Sequence, residues 1–225
     1  MDAFRRLLTV VLISGATAGL LLSALQFAVV VPLIRTAETY EHEEHATEGE
    51  AGHGSHEWQP SDGLERTLYT VVGTVLTGIA FSAVLLGVAA LLELELDARR
   101  GLWLGLAGFA CFALAPGLGL PPAPPGAAAV ELHAAQVWWI GTALATAVGL
   151  WAIARSHGAW LWRVAGIMCL SAPHLLGAPH ANGASAVPAE LSRHFALVVV
   201  ATQGVFWLLL GVLGSHLLAR RAWRG

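Results

Sequence analysis

The sequence predicts an all-α integral membrane protein, a bundle of six transmembrane helices forming one domain over residues 1–225. Three observations carry this. Hydrophobic residues make up 56% of the chain and charged ones only 12%, with a mean hydropathy of +0.65, where a soluble domain carries roughly 25% charged residues. Stretches 7–34 and 67–92 contain no charge at all, and each exceeds the ~20 residues needed to cross the hydrocarbon core. Further apolar stretches run over 101–120, 137–154, 164–178 and 195–218. In lipid every backbone polar group needs an internal partner, so these segments read as helices. Stretch 164–178 is the short one, and a five-helix protein is the alternative.

The first stretch is too long for a removable signal peptide, and its flanks are unlike a small-residue cleavage site. It is therefore expected in the mature protein. A net charge of −3 without a single lysine gives no nucleic-acid partner. Cys111 and Cys169 lie inside apolar stretches, which suits small packing residues better than a disulfide framework.

Arginine sets the expected topology. With the amino terminus cytoplasmic and six alternating helices, Arg5, Arg6, Arg99, Arg100, Arg155, Arg163, Arg220, Arg221 and Arg224 fall inside. Arg35, Arg66 and Arg193 fall outside, nine against three. Five helices would put the carboxy-terminal arginines on the wrong side. The expectation is a multi-pass protein of the bacterial inner membrane with both termini cytoplasmic.

The histidines, which the charge rule did not use, sort the same way. His42, His45, His53, His56, His133, His180 and His194 fall in outer loops or at outer helix ends, with His174 just below; only His157 and His216 are inside. The longest outer loop, 36–66, has the core EHEEHATEGEAGHGSHEW. His42 and His45 are three apart, as are His53 and His56, among Glu41, Glu43, Glu44, Glu48, Glu50 and Glu57. Neutral imidazole is a good metal ligand and carboxylates add charge. Gly49, Gly52 and Gly54 argue against a stable helix there, so an exchangeable collecting segment is expected. A solvated acidic linker is the other reading.

Two apolar stretches share a pattern. The third helix ends Gly108-Phe-Ala-Cys111-Phe-Ala-Leu-Ala115-Pro116-Gly117-Leu-Gly119-Leu-Pro121, and the fifth reads Gly166-Ile-Met-Cys169-Leu-Ser-Ala172-Pro173-His174-Leu-Leu-Gly177-Ala-Pro179. With single-residue slips, both follow Gly-x-x-Cys, Ala-Pro, then Leu, Gly and Pro. Each precedes a small-residue loop and then Glu-Leu with a histidine: Glu131-Leu132-His133, and Glu190-Leu191 with His194. The first hairpin matches more loosely through Pro32. The pattern predicts three parallel-repeated hairpins with Pro-broken outer ends. Proline removes a backbone donor and frees a carbonyl, and broken helices are tolerated where protein or a watery cavity covers them.

An ionisable residue at membrane depth is a functional candidate, so His174 and then His180 head the expected metal ligands. Glu131, His133, Glu190 and His194 form a rim around them. Pro116 and Pro173 would shape the site through freed carbonyls, and Gly117, Gly119 and Gly177 would let backbone approach an ion. Imidazole nitrogens with carboxylate oxygens suit divalent first-row metals. The bland reading leaves His174 and His180 bonded to free carbonyls at helix ends.

The run Ala115-Pro116-Gly117-Leu118-Gly119-Leu120-Pro121-Pro122, then Gln136-x-Trp138-Trp139, resembles the CbtA family of predicted cobalt transporter subunits. So does Ala172-Pro173-His174-Leu175-Leu176-Gly177-Ala178-Pro179-His180, and the order of elements is similar over nearly the whole chain. The resemblance implies cobalt uptake linked to cobalamin synthesis and a small single-helix partner, CbtB. It departs at Ala123, where the family pattern carries an acidic residue after the paired prolines. It also implies five helices where the arginine count gives six.

The expected function is thus a membrane permease subunit for divalent transition-metal uptake. Co2+ is the transported substrate, with Ni2+ or Zn2+ also compatible, and there is no permanent cofactor. The lipid bilayer surrounds the chain, and a second copy of it is a further candidate partner. No Gly-x-x-x-x-Gly-Lys-[Ser/Thr] loop is present for ATP hydrolysis. Two other classes remain, a membrane-anchored metal chaperone or sensor and a membrane metalloenzyme built on the outer His/Glu cluster. The latter lacks any constellation that defines a reaction, so the expectation is that the chain is not an enzyme.

Overall fold

A computed structural model describes residues 2–48, 61 and 63–222, with side chains over 3–41, 61 and 63–219. Among them the elements are α1 (Asp2–Leu25), a π-helical turn (Gln26–Val30), α2 (Val31–Glu48), α3 (Leu64–Leu91), α4 (Ala98–Phe109), a second π turn (Ala110–Leu114), α5 (Ala115–Gly119), α6 (Leu132–Ala154), α7 (Trp160–Leu176) and α8 (Ala189–Ala222). No strand occurs among the described residues; one isolated antiparallel bridge joins Ala129 to Asn182.

The protein is an all-α membrane protein. Five helical stretches are long and apolar enough to cross a bilayer: Ala3–Glu41, Leu64–Leu91, Ala98–Gly119, Leu132–Ala154 and Ala189–Ala219. The expected sixth segment is the 17-residue α7, about 25 Å long at 1.5 Å per residue, slightly short of the ~30 Å hydrocarbon core.

Two π turns explain how two of the three helix prolines fit into helices. Val31 N–H donates to Gln26 O, and Ala115 N–H to Ala110 O, each five residues back. Pro32 and Pro116 follow at once. A proline deprives the preceding turn of a donor and crowds it; the wider π turn accommodates the change of register. Cys111 and Pro116 are five residues apart, Cys169 and Pro173 four. The one-residue slip between the two similar stretches is therefore the residue that the second π turn takes up, while Pro173 sits inside regular α-helix.

Because Pro32 is carried through, the first helix does not stop near Arg35. No Gly or Pro occurs over 33–48, and helix continues to Glu48, just before Gly49. The start of the expected outer loop is thus helical. His42 and His45 lie on α2 with side chains outside the described set, and His53 and His56 lie outside the described residues altogether.

The chain divides into two compact units. The first comprises residues 1–32, 43–106 and 201–225, the second 33–42 and 107–200. Small residues let helices of the first unit touch backbone to backbone. A Cβ on Gly15 would lie 2.5 Å from Ile79 Cα, and one on Gly78 2.4 Å from Gly15 O. Beside this crossing of α1 and α3, the hydroxyls of Ser14 and Ser82 meet at 2.9 Å, both fully buried. A Cβ on Gly105 would lie 2.4 Å from Trp207 O, and one on Gly211 2.3 Å from Gly101 O, so α4 and α8 approach as closely. Hydrocarbon solvates leucine as well as a protein interior does, so such close packing and interhelical hydrogen bonds bind helices in lipid. Phe81 meets Trp207 with ring centroids 4.9 Å apart, and Phe206, Trp207 and Leu210 are buried.

The second unit is built on α6. Gly149 and Gly166 oppose one another, a Cβ on either falling 2.7 Å from the other's carbonyl oxygen, which fixes the crossing of α6 and α7. Trp151 and Trp162 stack edge to face nearby, centroids 6.1 Å apart, and Arg155 lies over Trp151 at 5.6 Å.

Candidate metal-entry site

The candidate ligands whose side chains the structure describes all belong to the second unit: Glu131, His133, His174, His180, Glu190 and His194. Two connections, 120–131 and 177–188, carry the first and fourth of them. Asn182 N–H donates to Ala129 O at 3.0 Å and Ala186 N–H to Gly126 O at 3.0 Å, so the connections run side by side. His180 lies two residues from one partner of this bridge and Glu131 two from the other. Gly126 is required here, since its φ is +75° and a Cβ would meet Glu41 Cβ at 3.2 Å and Val187 Cγ2 at 3.3 Å. Glu41, on α2, thereby joins the same neighbourhood.

Glu131 caps α6. One carboxylate oxygen accepts from His133 N–H at 2.8 Å and the other from Ala134 N–H at 2.6 Å. Orphan donors at a helix start are commonly satisfied this way, and a negative charge suits that end of the dipole. The oxygens keep lone pairs and the residue is exposed, so capping does not consume the group. His133 is exposed on the first turn of α6; Glu190 and His194, one turn apart near the start of α8, are exposed as well.

His174 is exposed on the last turn of α7 with its ring edge to face against Trp138, centroids 6.0 Å apart. Pro173 O accepts from Gly177 N–H at 3.1 Å, and Gly177 ends the helix at φ +87°. Pro116 is buried and its carbonyl accepts from Leu120 N–H at 2.8 Å. Gly119 has a role other than backbone approach to an ion: a Cβ there would lie 2.2 Å from the Trp138 ring and 3.1 Å from Ala178 Cβ. Gly117 is less constrained, its nearest neighbour being Val200 Cγ2 at 3.7 Å.

Trp138 thus links α5, α6 and α7. The sequence marks it only as part of a Trp-Trp pair; its position follows from the glycine opposite. Among the described residues its buried indole nitrogen has no hydrogen-bond partner, nor has the hydroxyl of Thr142 one turn further along α6. Such groups are costly to leave unsatisfied, and polar residues inside apolar helices give little sequence signal of which way they face. On the other side of α6, Leu120, Ala135, Gln136, Trp139 and Ile140 line an open groove of about 610 Å3.

The structure therefore bridges Ala129 and Asn182, each two residues from a candidate ligand, Glu131 and His180, and joins His174 to Trp138. Among the described residues no three His, Cys, Asp or Glu side chains form a group that could hold a metal ion.

The model of the family described as "Probable cobalt transporter subunit (CbtA)" matches residues 4–219. The chain belongs to the CbtA family. The match takes in both π turns, all three helix prolines and both bridged connections. As a CbtA member the chain is a multi-pass membrane protein and a subunit of a probable cobalt transporter, which implies a metal substrate and a partner. Neither the comparison with curated proteins nor that with solved structures found a match.

Proposed function

We propose that the chain is the permease subunit through which Co2+ enters the cell for cobalamin synthesis, with the ion received at the outer connections of the second unit. The observation that carries this most directly is the Ala129–Asn182 bridge. It holds the segment bearing Glu131 and His133 beside the one bearing His180, in a chain of a probable cobalt transporter family. His174 and His180 are the leading ligands, with Glu131, His133, Glu190 and His194 at the rim. All six are exposed, so the incoming ion can exchange its waters for them one at a time. Nitrogen and oxygen donors of this kind suit Co2+, with Ni2+ and Zn2+ as competitors.

His42, His45, His53 and His56 collect the ion and raise its local concentration before it reaches the rim. A small single-helix subunit of the CbtB kind, or a second copy of the chain, completes the transporter. The nine-to-three arginine asymmetry supports six crossings, with α7 as the short one, an inner-membrane location and both termini cytoplasmic.

The deciding experiment is uptake of radiolabelled Co2+ into proteoliposomes containing the chain, alone and with its partner. Uptake saturating with Co2+ and lost in the His174→Ala protein is expected. Binding without accumulation would instead make the chain a metal-binding chaperone or sensor.

A further inference from the structure

A second cavity lies in the first unit, far in character from any cation site. It has a volume of about 500 Å3, and its walls are mostly aliphatic: Leu7 of α1, Leu86 of α3, Leu94 and Leu96 of the α3–α4 connection, and Leu218 of α8. Among the described residues the one charged group in the wall is Arg6. Its Nη2 donates a long bond of 3.4 Å to Leu218 O, and its buried Nε has no hydrogen-bond partner among the described residues. Of the three carboxylates in the α3–α4 connection, Asp97 accepts from Arg100 N–H at 2.7 Å, Glu95 pairs with Arg100 at 3.2 Å, and Glu93 is exposed.

A guanidinium carries five N–H donors and a permanent positive charge. Leaving the buried Nε–H unpaired beside an apolar cavity is unfavourable. A cation such as the transported metal would be repelled, and a neutral hydrocarbon chain would leave the charge unanswered. The complementary ligand has an anionic head and an aliphatic tail, and the bilayer around the helices supplies one. We propose that this cavity is a specific site for an anionic phospholipid, its phosphate bound by Arg6 and one acyl chain lying along Leu7, Leu86, Leu94, Leu96 and Leu218. Basic pockets between transmembrane helices bind anionic headgroups in this manner. The bound lipid would join α1, α3 and α8, whose residues line the cavity.

The test uses the full chain in nanodiscs of equal phosphatidylglycerol and phosphatidylcholine, followed by extraction into mild detergent and native mass spectrometry of retained lipid. One phosphatidylglycerol per chain is expected in preference to phosphatidylcholine. Arg6→Gln should lower that preference about tenfold, the size of one charge-assisted hydrogen bond. Arg5→Gln should leave it unchanged, because Arg5 is exposed and outside the cavity wall. Ala90→Phe, which places a ring in the cavity while keeping Arg6, should lower retention and serves where Arg6→Gln inserts poorly. Equal retention of the two lipids, an unaltered preference in Arg6→Gln, or an equal loss in Arg5→Gln would each overturn the site.

Discussion

The imidazole of His174 and the indole of Trp138 meet edge to face, ring centroids 6.0 Å apart, and so tie the last turn of α7 to the first turns of α6. An aromatic pair of this kind is worth about 0.5–1.5 kcal/mol beyond burial, whereas a metal ligand is fixed in distance to about 0.2 Å. The two roles separate by substitution. His174→Phe keeps an aromatic edge and removes the nitrogens, so it should insert normally, melt near the parent and lose Co2+ uptake along with His174→Ala. Restored uptake in His174→Phe would leave the histidine a packing role only.

Gly119 and Gly117 make a matched pair. Alanine at 119 would drive a methyl into the Trp138 ring and displace it, costing about 1–3 kcal/mol as overpacking does. Thermal unfolding in detergent should register the change, and uptake should fall with it if Trp138 positions His174. Gly117→Ala meets only Val200 at ordinary contact distance and should behave as the parent in both assays.

Glu131 carries a structural task that its candidacy as a ligand did not anticipate. Glu131→Ala should lose about 1 kcal/mol of stability with the cap. Glu131→Ser restores a capping oxygen without the charge and should recover that stability. Comparing Co2+ half-saturation in these two proteins isolates the carboxylate. A raised value in the serine protein at parental stability is expected if Glu131 lies on the entry rim.

The collecting histidines are best tested by replacing His42, His45, His53 and His56 together with alanine, since deletion from Glu41 would remove the side chain packed over Gly126. The half-saturating Co2+ concentration should rise while maximal uptake stays nearly intact. In the parent protein capture should weaken below about pH 6, where imidazole ordinarily gains a proton and loses its ligand lone pair. The four-alanine protein should lack that part of the pH dependence. Loss of uptake at saturating Co2+ would place the segment in the pathway itself.

The close crossings make the clearest stability prediction. Gly78→Leu should prevent α1 and α3 from meeting, because even a Cβ there falls 2.4 Å from Gly15 O. Gly87→Leu, on the same helix with nothing within 4 Å of its Cβ position, should be tolerated. Yield of folded protein after detergent extraction distinguishes the two.

The sequence by itself determined the membrane class, the positions of the apolar helices and the prolines near helix ends. Lipid imposes one strong rule on a chain, that apolar runs of sufficient length become helices, and that rule is readable residue by residue. The shared Gly-x-x-Cys and Ala-Pro pattern was also legible, down to its one-residue slip between Cys111–Pro116 and Cys169–Pro173. Tertiary structure decided how the slip is absorbed, through a π turn in one helix and none in the other. It likewise decided that the first helix passes Pro32 and reaches Glu48, because register changes in the backbone ladder leave no mark in hydropathy. The partners of the site were equally hidden. Nothing in the spacing of Gly119, Trp138 and His174 brings them together; the indole fits only because the facing residue has no side chain. The bridge from Ala129 to Asn182 joins connections separated by all of α6 and α7. Contacts between residues so distant in sequence depend on where the helices cross, and here paired glycines, Gly149 with Gly166 and Gly15 with Gly78, fix those crossings.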